Sequence, residues 1–187
     1  MSPKVVFAYA VLATSAVLAA TPASGAAFVL GGGMANACSR AAIEGRDDRA
    51  AVDTCSMALE SQPLLKRDRA GTFVNRGVIH LRRQAYVDAR RDFDAALAIE
   101  PDLGEAFVNR GAILIAQRQY AAGVTEIDRG LALSPDEPEK AYFNRALAHE
   151  GLDEMKSAWL DYQKALELRP DWDAPRRELA RFSVSRP

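Results

Sequence analysis

The sequence is short of the residues on which catalysis and metal binding usually rest. Its 187 residues contain two cysteines, Cys38 and Cys55, and two histidines, His80 and His149. There is no C-x-x-C pair, no H-E-x-x-H helix, no G-x-S-x-G elbow and no glycine-rich loop ending in Lys-Ser or Lys-Thr, so the common zinc, hydrolase and nucleotide-binding classes lack their residues. No catalytic residue, cofactor or metal is expected, and the chain is read as a non-enzyme. Aromatic residues make up 7% of the chain, which disfavours a β-sandwich, and the abundant alanine favours helices. The formal net charge of −1 provides no overall field for nucleic acid. No apolar run reaches the roughly 20 residues that a membrane-spanning helix needs.

What is present begins with a targeting pattern. Lys4 is followed by an uncharged stretch from Val5 to Ala20, then Thr21-Pro22 and the small residues Ala23-Ser24-Gly25-Ala26-Ala27. Charged start, apolar middle and small-residue exit describe a cleavable secretory leader over residues 1–26, with the cut near Gly25 or Ala26. The apolar stretch is too short for a retained anchor, so no membrane contact is expected beyond this segment. Residues 27–33, with three consecutive glycines, read as a flexible linker. An Ala- and Arg-rich export substrate of this kind suggests the periplasm of a Gram-negative bacterium.

The body of the chain repeats. Asn75-Arg76-Gly77, Asn109-Arg110-Gly111 and Asn144-Arg145-Ala146 recur at steps of 34 and 35 residues. Pro101, Pro135 and Pro170 keep the same step, each followed by Asp. Each unit holds two stretches with apolar residues every three or four positions, the first pair being Ala70 to Arg83 and Tyr86 to Glu100. Neither helix of such a pair buries its apolar stripe alone, so neighbouring units must stack.

These columns resemble the tetratricopeptide repeat family. The first unit supplies Phe73, Gly77, Ala89, Phe93, Ala96 and Pro101 at the family's positions. The second supplies Phe107, Gly111, Gly123, Ile127, Gly130 and Pro135, and the third Tyr142, Ala146, Ala158, Tyr162, Ala165 and Pro170. The small residues let two helices cross closely. His80, Leu114 and His149 depart from the usual aromatic, and the two histidines are read as slot fillers, too far apart to share a metal. The resemblance implies an all-α fold, a right-handed α-solenoid of antiparallel helix pairs with units at 69–102, 103–138 and 139–172. A degenerate unit is expected at 34–68, where Ala51, Cys55, Ala58 and Pro63 keep the spacing of a second helix, and a capping helix at 173–187 with Asp171 or Asp173 as N-cap.

In that register Cys38 and Cys55 face each other across the first hairpin, and in an exported chain a structural disulfide is expected rather than a redox pair. Each repeated arginine has an acid sixteen residues later, Asp92, Glu126 and Asp161. An ion pair within each unit is therefore expected, with anion binding by the three arginines as the other reading.

First helices line the concave face in this family. Helical geometry then assigns Val74, Asn75, Val78 and Leu81 to a groove, followed by Val108, Asn109, Ala112 and Ile115, and by Lys140, Phe143, Asn144 and Leu147. The three asparagines form a ladder whose amides both donate and accept, matching the backbone of an extended peptide; satisfying the solenoid's own turns is the alternative. Val74 and Val78 stand where the carboxylate-binding relatives carry Lys and Asn, so that activity is not implied. The resulting expectation is a scaffold binding a protein or peptide in the envelope, or else an accessory subunit of an envelope enzyme complex.

Overall fold

A computed structural model describes residues 6–9, 25–27 and 33–185, the side chains of 6–9 and 183–185 excepted. Most of the expected leader and linker therefore lies outside the described residues. From residue 33 to 181 the chain is helical: α1 (Met34–Ile43), α2 (Arg49–Ser61), α3 (Lys66–Arg82), α4 (Tyr86–Ile99), α5 (Gly104–Ala116), α6 (Tyr120–Ala132), α7 (Pro138–Gly151), α8 (Met155–Leu168) and α9 (Asp173–Leu179). Consecutive helices pair as α1 with α2, α3 with α4, α5 with α6 and α7 with α8, and each pair packs on the next. The first helices also touch one another, α1 with α3, α3 with α5 and α5 with α7, so they form the continuous inner layer of the expected all-α solenoid.

The turn inside each pair is built the same way. The backbone N–H groups of Arg46, Ala85, Gln119 and Glu154 each donate to the carbonyl five residues earlier, closing a Schellman turn. The residue just before each of them is left-handed: Gly45 at φ 79° and Gln84, Arg118 and Asp153 at φ 60°. Only the degenerate hairpin uses the glycine that this geometry favours. Its matching turn makes α1–α2 a true member of the array, and Asp48 caps α2 by accepting from Ala51 N at 3.0 Å.

Small residues set how closely the helices of a pair approach. A Cβ added at Gly77 would stand 2.6 Å from Phe93 Cε1, and one at Gly111 2.6 Å from Ile127 Cγ1. At Gly130 the obstacles are Val108 Cγ2 at 2.7 Å and backbone, Gly104 O at 2.8 Å from the added carbon, and the backbone cannot move without separating α5 from α6. Gly130→Ala is expected to cost about 1–3 kcal/mol despite alanine's better helix propensity, read as a lower urea midpoint at unchanged m-value.

The C-terminal cap is more elaborate than the sequence implies. The N-cap of α9 is Trp172, with no side-chain capping bond, in place of the expected Asp171 or Asp173. Trp172 instead packs against Phe143 with the rings tilted and their centroids 4.9 Å apart, so packing of the indole fixes the entry to α9. Leu179 and Phe182 pack on the core of the third unit. Beyond α9, β2 (Phe182–Ser185) pairs antiparallel with β1 (Val6–Tyr9), in register Val6 to Ser185. The leader pattern covers residues 6–9, and apolar alternation gives no sign of this ladder.

Candidate functional site

The asparagine column lies on the inner layer. Asn75 on α3, Asn109 on α5 and Asn144 on α7 are all buried. Asn75 Nδ2 donates to the carbonyl of Ala27 at 3.0 Å, and Asn109 Nδ2 donates to the carbonyl of Gly25 at 3.3 Å. Ser39 Oγ on α1 adds a second bond to Ala27 O at 3.1 Å. Two successive rungs thus hold alternate carbonyls of one backbone, which descends in residue number as the units ascend. Asn144 is the third rung: its Nδ2 is buried without a hydrogen-bond partner, as are Asn75 Oδ1 and Asn109 Oδ1.

The apolar members of the groove are enclosed rather than open. Val74 and Val78 are fully buried with Leu81 and Ala112 in the core shared by the first three pairs, against which Ala26 and Ala27 pack. Val108, Ile115, Phe143 and Leu147 belong to the second core. Lys140 Nζ pairs with Glu137 Oε1 at 2.5 Å. Glu137 Oε2 and the Glu105 side chain come within 3.7 Å of where a Cβ on Gly25 would stand, while Glu105 Oε1 accepts from Asp136 N at 2.7 Å. Sequence reasoning missed Ser39, Glu137 and the Gly25–Ala27 segment as parts of this site, because Gly-Ala-Ala carries no motif.

The arginine column forms the expected pairs. Arg76 Nε and Nη2 bind both oxygens of Asp92 at 2.9 and 2.7 Å, and Arg145 binds both oxygens of Asp161 at 2.8 Å. Arg110 Nη2 meets Glu126 Oε1 at 2.9 Å. Each arginine also reaches back to the preceding pair: Arg76 to Ser56, Arg110 to Asp94, Arg145 to Asp128. Their guanidinium groups lie 5.6, 5.7 and 5.2 Å from the rings of Phe73, Phe107 and Tyr142. The hydrogen-bonded Asp92 carboxylate raises the Arg76 pKa, and Asp161 does the same for Arg145. With their donors directed at acids of the array, these arginines are structural rather than an anion site.

The histidines follow the arginines. His80 Nε2 stands 3.9 Å from Asp92 and His149 Nε2 3.8 Å from Asp161, and burial pushes the His80 pKa below its usual value. Cys38 and Cys55 form a disulfide, fully buried, with their Cα atoms 4.8 Å apart. Among the described residues no cluster of three metal-ligating side chains exists, and no helix is long and apolar enough to cross a membrane.

Comparison with known proteins agrees with this geometry. Residues 139–171 match the tetratricopeptide repeat family, and the helix-pair array superposes on solved repeat proteins. Residues 139–171 thus carry a tetratricopeptide repeat, and the array has the fold of tetratricopeptide-repeat proteins. The crystal structure of PilW, described as a widely conserved type IV pilus biogenesis factor, superposes with a TM-score of 0.67 at 25% identity, over 81% of this chain and 69% of that one. MamA from Desulfovibrio magneticus RS-1 gives 0.59 at 21% identity, over 79% and 82% of the two chains. The Arabidopsis OM64 repeat domain gives 0.57 at 18% identity, over 63% of this chain and 96% of that domain. A search of curated proteins returned no match. Such arrays serve as protein–protein interaction scaffolds, and the fold assigns that general role here.

Proposed function

We propose that this protein holds an extended segment of a partner protein along its inner helices, reading the partner's backbone through Asn75, Asn109 and Asn144, and that it does so in the cell envelope. The observation that carries the reading is the pair of amide-to-carbonyl bonds from Asn75 to Ala27 and from Asn109 to Gly25. A side-chain amide that reads a carbonyl is indifferent to the partner's side chain, so affinity comes from the backbone and selectivity from the space around it. The envelope assignment draws on the Cys38–Cys55 disulfide, which persists in oxidising compartments, and on the likeness to the pilus factor.

The test is replacement of Asn75, Asn109 and Asn144 together by alanine. The triple variant is expected to keep its helical circular dichroism and to lose crosslinking to whichever envelope protein the wild-type chain captures stoichiometrically. Unchanged capture would sink the reading. Loss of helicity at 25 °C would show that the asparagines hold the solenoid instead.

A further inference from the structure

We infer that, while the leader is uncut, the groove is occupied in cis: residues 25–27 sit in it as a stand-in ligand, and a partner segment enters in the same backbone register once they are displaced or removed with the leader. The inference rests on the groove being a peptide site and adds what fills it at rest and what a competitor must look like. Three bonds seat the segment, from Ser39, Asn75 and Asn109, all to backbone carbonyls of Gly25 and Ala27. The side chains contribute little polar recognition, because Gly25, Ala26 and Ala27 offer at most a methyl group. A backbone-only grip is one that any extended chain can reproduce, so the seat is exchangeable by construction.

Two observations show that the seated segment leaves the column incompletely used. Asn144 is 2% exposed, and its Nδ2 donor has no partner. A buried amide donor left unbonded is costly, and a ligand supplying a carbonyl there would recover that cost. Rungs one and two take carbonyls two residues apart, so a displacing segment that continues the register would bring its next alternate carbonyl to Asn144. Residues 25–27 satisfy two rungs, and a competitor that also presents a carbonyl to Asn144 satisfies three, which is where the competitor's advantage lies. Against it works tethering, which gives the cis segment an effective concentration of about millimolar.

The walls of the seat also set its selectivity. An added Cβ at Gly25 meets Glu105 Cγ at 3.6 Å and Glu137 Oε2 at 3.7 Å, both ordinary van der Waals distances. A side chain there is sterically admissible, and it lies against the Glu105 methylenes and the carboxylate of Glu137, which pairs with Lys140. The position therefore accepts small or basic residues and rejects acidic ones. Gly25→Asp should unseat the segment, while Gly25→Lys should leave it seated.

The experiment uses the full-length oxidised chain, with its N-terminal segment uncut, in three forms: wild type, Gly25→Asp and Gly25→Lys. Elastase, which cuts after small residues, reads whether residues 25–27 are seated. A labelled peptide copying residues 21–31 reads by fluorescence anisotropy whether the groove takes an extended chain in trans. Expected are cleavage at 25–27 at least tenfold faster in Gly25→Asp than in the other two, and peptide binding at least tenfold tighter to Gly25→Asp than to wild type. Adding Asn75→Ala and Asn109→Ala to Gly25→Asp should abolish the peptide binding. Equal cleavage in all three forms overturns the cis occupancy while leaving the groove reading intact. Protection of wild type with no peptide binding to any form overturns the groove as a peptide site, and the inference with it.

Discussion

Replacing Arg76 with methionine is expected to destabilise the protein by about 3–5 kcal/mol, out of proportion to a contact that looks like one ion pair among many. Most ion pairs of the chain are exposed and contribute roughly 0–1 kcal/mol each. Asp92 differs: its side chain is 4% exposed, and Arg76 binds both of its oxygens. Without the guanidinium the carboxylate keeps only His80, 3.9 Å away and disfavoured from charging by its own burial. The penalty is that of stranding a charge, and not the net worth of the pair. The double replacement Arg76→Met with Asp92→Leu is therefore expected to return to within about 1 kcal/mol of wild type, because neither charge is then left alone. Chemical denaturation of the two single and one double variants closes the cycle. A double variant as unstable as Arg76→Met would show that the guanidinium acts by packing over Phe73 instead.

Replacing Cys38 and Cys55 together by alanine is expected to cost about 3 kcal/mol, the chain-entropy value for a loop of this length, or roughly 6–12 °C in Tm. The location of the loss matters more than its size. In a solenoid each pair contacts only its neighbours, and α1–α2 has a neighbour on one side alone. Amide exchange should accelerate in α1 and α2 while α5 to α8 keep their protection. Uniform acceleration would mean that the array unfolds as one unit and that the hairpin is not separately stapled. Because Ser39 on α1 holds Ala27, loosening that hairpin should also loosen the cis segment.

Much of this was legible because repetition supplies its own alignment. One arginine with an acid sixteen residues later means little; three such pairs at a constant step specify a contact, and all three form. The disulfide was legible for the same reason, since the worn first unit set Cys38 and Cys55 on facing helices. Where residue type carries no signal, the reading failed. Gln84, Arg118 and Asp153 adopt the left-handed turn conformation without being glycine, because the Schellman bonds around them outweigh the local cost. The start of α3 at Lys66 falls ahead of the expected Ala70, since its first turn is polar and shows no apolar period. The seat of Gly25–Ala27 was invisible because what holds it is backbone, and every sequence has backbone. The asparagine ladder itself was visible, but the identity of the chain it would meet was not.

The arginine column has a beginning and an end. The residues that the arginines reach back to occupy one aligned position in successive units: Ser56, Asp94 and Asp128. Shifted by one more unit, that position is Gln163. No arginine-bearing unit follows it, since α9 closes the array, and a neutral amide stands where a carboxylate would otherwise await a partner. Each clasp thus needs a tongue on one unit and a slot on the unit before, and the last unit is made without a slot. Grafting a fourth full unit behind residue 172 would call for an acid at position 163 before any change to the cap.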